Sequence, residues 1–211
     1  MDPHSLHSSS TALVLFDFLN GHARSGDAAT QARYAPVIAN AVSLVDAARS
    51  RGMMIAHAVA AHRADNATSG VTVRDADNRL RPLDENAPSR FAPVVRAGTW
   101  ESAIVDELAP QDTDYVVPKY RWSAFYQTYL DLALRARGVD TIVLAGGSTD
   151  VGIASTAFAA RDMDYSVIIA SDACTSPEQD NHDQFVRRVF PRMARVRTTR
   201  EICAMLRPAP T

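Results

Sequence analysis

The sequence predicts an α/β fold in which helices cover both faces of a mostly parallel, six-stranded sheet, giving one three-layer α/β/α domain. Three observations carry that expectation. Short apolar runs of strand length alternate with longer stretches of helical periodicity. The runs are apolar at successive positions, as in strands buried on both faces. Several stop at a charged residue or a glycine turn, the punctuation of a strand entering a loop.

The elements follow in order. Residues 1–10 are polar and aperiodic, so a flexible tail is expected ahead of a domain spanning 11–211. Residues 12–16 form an apolar run that stops at Asp17, and a helical stripe follows over 35–51 (Val37, Ile38, Ala41, Val42, Leu44, Val45, Ala48), ended by Gly52. Residues 53–59 are the second strand. A polar stretch over 62–98 then interrupts the alternation, with Pro82, Pro88, Pro93 and the arginines Arg63, Arg74, Arg79, Arg81 and Arg90. A stretch this long without periodicity is a functional excursion or a mobile segment. Its arginines could meet an anionic substrate, although solvated surface charge is the commoner role.

Alternation resumes with a helix expected over 100–108, a strand over 114–118 and a helix over 123–138 carrying Leu130, Leu132 and Leu134. Residues 141–145 are a strand, followed by the turn Gly146-Gly147-Ser148-Thr149 and a small-residue helix over 150–161. A fifth strand is expected at 165–170, helix over much of 177–194, a sixth strand at Val196 and a closing helix at 199–206. Right-handed crossovers join such units.

Composition narrows the function. The 211 residues suit one domain, and 22 Lys and Arg against 24 Asp and Glu give a net charge of -2. That balance argues against nucleic acid as a partner, which demands a concentrated basic surface. No apolar run approaches the ~18 residues of a membrane span. Cys174 and Cys203 follow no metal or redox spacing, which fits a cytoplasmic location.

Open parallel sheets bind ligands beyond the carboxyl ends of their strands. The first reactive groups past those ends are Asp17, Lys119 and the 146–149 turn. Each also has an ordinary role: a turn-capping acid, a surface amine, a turn needing glycine geometry. Their placement on one rim favours a site. The helix starting near Asp150 would point free N–H groups at that rim and favour developing negative charge there. The turn has no GxGxxG or GxxxxGK[ST] spacing, so nucleotide phosphate is a weak reading.

Three segments together resemble the isochorismatase-like (cysteine hydrolase) superfamily: Leu13-Val14-Leu15-Phe16-Asp17-Phe18-Leu19-Asn20, Val117-Pro118-Lys119-Tyr120-Arg121-Trp122-Ser123-Ala124-Phe125, and Val143 through Gly152. Asp172-Ala173 matches a further pair of that family. The resemblance implies a Rossmann-like sheet ordered 3-2-1-4-5-6 and a cis peptide between Gly147 and Ser148. It implies catalytic roles for Asp17, Lys119 and position 152, substrate contacts at Gly147, Ser148 and Phe125, no cofactor, and a homo-oligomer (dimer or tetramer). In amide-cleaving members a cysteine stands where this chain has Gly152, and that residue cannot attack a carbonyl. Isochorismatases proper, which cleave a vinyl ether, also carry glycine there and use the aspartate as acid. The Ser148-Thr149-Asp150 run is nevertheless of the amidase kind.

Three functions therefore stay open: a cofactor-independent hydrolase of a small anionic molecule, with vinyl-ether cleavage by Asp17 foremost; an amidohydrolase lacking its cysteine; and a binding protein that keeps the pocket. Cys174 and Cys203 read as structural thiols. The Asp-X-His metal motif of some members is absent at 55–63, so His57 and His62 are expected to be rim or loop residues and no metal is expected. His22, near the acid segment, is a candidate substrate contact.

Overall fold

The computed structural model describes residues 5–70 and 94–207. The sheet consists of β2 (Thr11–Phe16), β3 (Met54–Ala60), β4 (Tyr115–Lys119), β5 (Thr141–Gly147), β6 (Ser166–Thr175) and β7 (Arg195–Arg197). All neighbours pair in parallel in the order β4-β3-β2-β5-β6-β7, which is 3-2-1-4-5-6 when these six strands alone are numbered. The connections run in opposite directions from β2, so a crevice opens at the carboxyl ends of β2 and β5.

Alternate residues of the central strands face opposite layers. Leu13 and Leu15 of β2 and Val143 and Ala145 of β5 pack with α2 (Ala28–Ser50) and α6 (Thr199–Met205). Ala12, Val14, Phe16, Ile142 and Leu144 pack on the other side with α3 (Leu130–Ala136) and α4 (Ala154–Asp162). Asp27 caps α2 by accepting from the Thr30 N–H at 2.8 Å. Thr198 and Glu201 cap α6 reciprocally. Pro118, which lacks an N–H, is tolerated because β4 is an edge strand.

Four expectations change. Part of the expected flexible tail is ordered, because β1 (Leu6–His7) pairs in parallel with β8 (Leu206–Arg207) and Leu6 is buried. Residues 100–108 are two 3-10 turns, Trp100–Ser102 and Asp106–Leu108, rather than one helix. Ile104 forms an antiparallel bridge to Leu19, and the Val105 N–H donates to Phe18 O at 3.0 Å, which holds the middle extended. The helix expected over 123–138 is only α3. Its first part is diverted by Gln127 at φ 55° and by the Ala124 N–H donating to Thr156 Oγ1 at 3.0 Å. Of the leucines named for that helix, Leu130 and Leu134 are buried and Leu132 is exposed. The fifth strand is longer than expected, continuing through a bulge to pair Cys174 with Gly146 and Thr175 with Gly147.

Of the 62–98 excursion, residues 62–70 and 94–98 are described, joined by a parallel bridge from His62 to Arg96. Arg74, Arg79, Arg81 and Arg90 lie outside the described residues, and Arg63 is spent on an exposed ion pair with Asp65 at 2.6 Å. No helix among the described residues is long and apolar enough to cross a membrane.

Candidate active site

Strand β2 ends by delivering Asp17 to the crevice. Its backbone turns out of the strand at φ 51°, an unusual conformation that Asp tolerates better than most residues, while its N–H still donates to Ala58 O at 2.9 Å. Held this way, the carboxylate accepts from the Ala60 N–H at 2.8 Å through Oδ1 and from Lys119 Nζ at 2.6 Å through Oδ2. Both residues are nearly inaccessible, at 7% and 5% exposure. The ammonium also lies 4.2 Å from the centre of the Phe16 ring, a cation–π contact. Lys119 reaches this place because β4 lies two strands from β2, with β3 between them.

The turn after β5 forms the opposite wall. Gly146 has φ 130°, and a Cβ there would lie 2.0 Å from Phe16 O, so the two chains approach too closely for any side chain. The Gly147–Ser148 peptide is cis. A wide turn over Thr149–Ile153 leads into α4. Asp150 ties this turn down by accepting from Ser148 Oγ, Ser176 Oγ (2.7 Å) and Asn181 Nδ2 (2.8 Å). Burial, the largest single effect on Asp150, favours the neutral acid. The three hydrogen bonds together outweigh it and hold the carboxyl below its ordinary range.

Gly152 sits in this turn with no room above its Cα. A Cβ added there would lie 2.3 Å from Phe16 Cε1 and 2.5 Å from Cζ. The aromatic ring stands where a side chain at 152 would project.

Two cavities meet at the Asp17–Lys119 pair and share His22 and Trp122 as well. The larger, about 1010 Å³, is walled by His62, Tyr120, Arg121 and Tyr126 among others. The smaller, about 240 Å³, is bounded by Arg33, Tyr34, Gly147, Ser148 and Gly152. Asp17, Lys119, Gly147, Ser148 and Gly152 are thus brought together, and His22 joins them. Phe125 is not. It is buried in the core, stacked on Tyr165 with ring centres 5.7 Å apart, and borders neither cavity. Its apolar ring is used for packing, which corrects the expectation of a substrate contact.

Neither thiol is placed for catalysis. Cys174 is buried, with Sγ 3.7 Å from Leu144 O, and burial pushes its pKa up to about 12. Cys203 is shifted upward by burial too and lies against Ser43 O at 3.9 Å. Both stay as thiols at neutral pH, and neither borders either of these two cavities. Alkylation with iodoacetamide under native conditions is therefore expected to leave turnover intact. Stoichiometric loss of activity with modification of Cys174, measured by mass spectrometry, would contradict this.

The histidines part company. His62 borders the larger cavity with Nδ1 3.1 Å from Thr68 O, and burial lowers its pKa. His57 lies away from the site, with Nε2 3.6 Å from Asp114, which Arg49 holds at 2.8 Å. Among the described residues no group of three or more His, Cys, Asp or Glu could hold a metal ion.

Phe16, Arg33, Tyr34 and Arg121 escaped the sequence reading. Arg33 and Tyr34 lie in the regular helix α2 and carry no local signature. Phe16 reads as one more apolar residue of its strand. Arg121 was quoted only as part of a motif.

Residues 11–201 match the isochorismatase domain. The uncharacterized isochorismatase family protein YwoC of Bacillus subtilis is 34% identical over 194 residues, covering 90% of this chain and 91% of that protein. YecD of Escherichia coli O157:H7, another uncharacterized isochorismatase family protein, is 38% identical over 122 residues, covering 58% of this chain and 62% of that one. The ureidoacrylate amidohydrolase RutB of Rhizobium rhizogenes is 32% identical, over 82% of this chain and 73% of its own. An isochorismatase family protein from Burkholderia thailandensis superposes with a TM-score of 0.79 at 28% identity, covering 95% and 97% of the two chains. N-carbamoylsarcosine amidase from Thermoplasma acidophilum does so with a TM-score of 0.69 at 26% identity, covering 90% and 96%. A match over nearly the whole length, on the same sheet, makes this chain a hydrolase of the isochorismatase family.

Proposed function

We propose that the chain hydrolyses a small anionic substrate without a covalent enzyme intermediate, by acid-catalysed cleavage of a vinyl ether. The observation that carries this reading is the Phe16 ring filling the space above Gly152, which leaves no room for a nucleophilic side chain at that position. Chemistry at the cavity junction then falls to Asp17, Lys119 and water.

In this scheme the protonated Asp17 carboxyl donates its proton to the terminal CH₂ of the vinyl ether. The C=C electron pair forms the new C–H bond, and the ether oxygen shares the resulting positive charge. Lys119 stabilises the carboxylate left behind. Water adds to the cationic carbon and returns a proton to Asp17. The hemiketal then breaks its C–O bond to give an alcohol and a methyl ketone, so one water is consumed and the enzyme is restored. The scheme requires neither thiol nor cofactor.

A second reading rests on the same carboxylate. Asp17 accepts hydrogen bonds on both oxygens, from Lys119 and Ala60, an arrangement suited to a base that activates water for attack on an amide. The amide-cleaving activities named for RutB and for N-carbamoylsarcosine amidase lend it support. The pH–rate profile separates the two. With Asp17 as acid, kcat/KM for a vinyl ether should fall as pH rises across about 5 to 9; a rate that climbs over that range marks a base. Tight ligand binding with no turnover of either bond type would instead identify a binding protein.

A further inference from the structure

We infer that the smaller cavity is a carboxylate subsite anchored by Arg33. The inference deepens the hydrolytic reading above by assigning the substrate's acidic end to one side of the Asp17–Lys119 junction and the rest of the substrate to the other.

Charge points this way first. The charged residues around the smaller cavity are Asp17, Lys119 and Arg33. Asp17 and Lys119 face each other at 2.6 Å, which leaves the guanidinium without an opposite charge among the three; with Asp17 protonated, as the acid scheme requires, the cavity is more positive still. Among the described residues Arg33 has no ion-pair partner, and its Nε is buried without a hydrogen bond. A guanidinium with no carboxylate partner on the protein is open to one on a ligand.

The neighbours fit the same ligand. Tyr34 lies beside Arg33, with the guanidinium carbon 5.7 Å from its ring centre. Burial pushes the Tyr34 phenol up to about 12, so it remains an O–H donor at neutral pH. Its hydroxyl stands only 2.8 Å from where a Cβ on Gly147 would lie, so the glycine leaves the phenol open to the cavity. A guanidinium fork and a phenol hydroxyl are complementary to a carboxylate. With about 240 Å³, the cavity takes a short acid of a few heavy atoms, while the cavity of about 1010 Å³ accommodates the bulk of the substrate.

The test reads binding directly, so it is independent of whether Asp17 acts as acid or base. Propionate and its neutral counterpart propionamide are titrated into the whole protein by ligand-observed NMR. Propionate should bind and propionamide should bind at least about 10-fold more weakly, the scale of a charge-assisted hydrogen bond. Arg33→Gln should weaken propionate by a similar factor, and Arg33→Lys by less, because the charge remains but the fork is lost. No propionate binding to the unaltered protein, equal binding of the two probes, or unchanged propionate affinity in a folded Arg33→Gln protein would each overturn the subsite. The probe comparison on the unaltered protein holds even if Arg33→Gln fails to fold.

Discussion

Asp17→Asn is expected to lower kcat on the true substrate by about 10²–10⁴-fold, the range for a positioned acid or base. Asn keeps an oxygen for the Lys119 ammonium and an outline close to that of Asp, so substrate binding should survive better than turnover. The effect should therefore fall mainly on kcat. Folding will not be wholly indifferent. Lys119 is 5% exposed, and removing the charge that faces it leaves a buried ammonium poorly compensated. A stability loss of up to ~3–5 kcal/mol is the upper range for breaking a buried pair. Asp17→Asn with Lys119→Met removes both charges and should recover part of that stability while remaining inactive. Chemical denaturation separates the two effects. A folded Asp17→Asn protein with near-normal kcat would exclude Asp17 from the proton transfer.

Gly152→Cys alone is expected to destabilise the protein and to confer no thiol-dependent activity. In an unhindered helical turn, replacing Gly by Ala stabilises by ~1 kcal/mol, so the sign of the change is informative. Here even the Cβ of Ala would lie 2.3 Å from Phe16 Cε1, and the ring is itself held between the buried core and Lys119 Nζ at 4.2 Å. Overpacking of this kind costs about 1–3 kcal/mol. Thermal melts of Gly152→Ala and Gly152→Cys should accordingly fall by several degrees, at ~2–4 °C per kcal/mol for a chain of this size. Phe16→Val opens the space, so Phe16→Val with Gly152→Cys should be more stable than the sum of the single losses. The expected coupling is about 0.5–3 kcal/mol. The doubly substituted protein should also expose a new alkylatable thiol beside Asp17 and Lys119. An unchanged or raised melting temperature for Gly152→Ala would show that the ring yields easily and that Phe16 does not dictate the glycine.

Both predictions depend on contacts between residues far apart in the chain, which explains how much of the site could be read beforehand. The apolar runs at 12–16, 53–59 and 141–145 were legible because a strand buried on both faces writes its environment into consecutive residues. Asp17, Lys119 and the glycine turn could be placed on one rim because parallel strands all present their carboxyl ends to the same side. Local rules failed where a distant partner overrode them. Residues 100–108 have helical character, yet the bridge from Ile104 to Leu19 holds their middle extended. Residues 123–129 lose their helix to a hydrogen bond with Thr156, which the sequence gives no reason to place nearby.

By itself the sequence determined the layered α/β architecture, the family and the acid–amine–turn trio, since these follow from periodicity and from motifs a few residues long. Only the tertiary structure decided that Phe125 belongs to the core, that Arg33 and Tyr34 of α2 face the same small cavity as Asp17, and that the Phe16 ring occupies the space above Gly152. The reason is physical: an apolar strand residue and a helical arginine look alike in sequence whether they pack, face solvent or border a cavity. Their role is set by which distant atoms lie within a few ångströms of them.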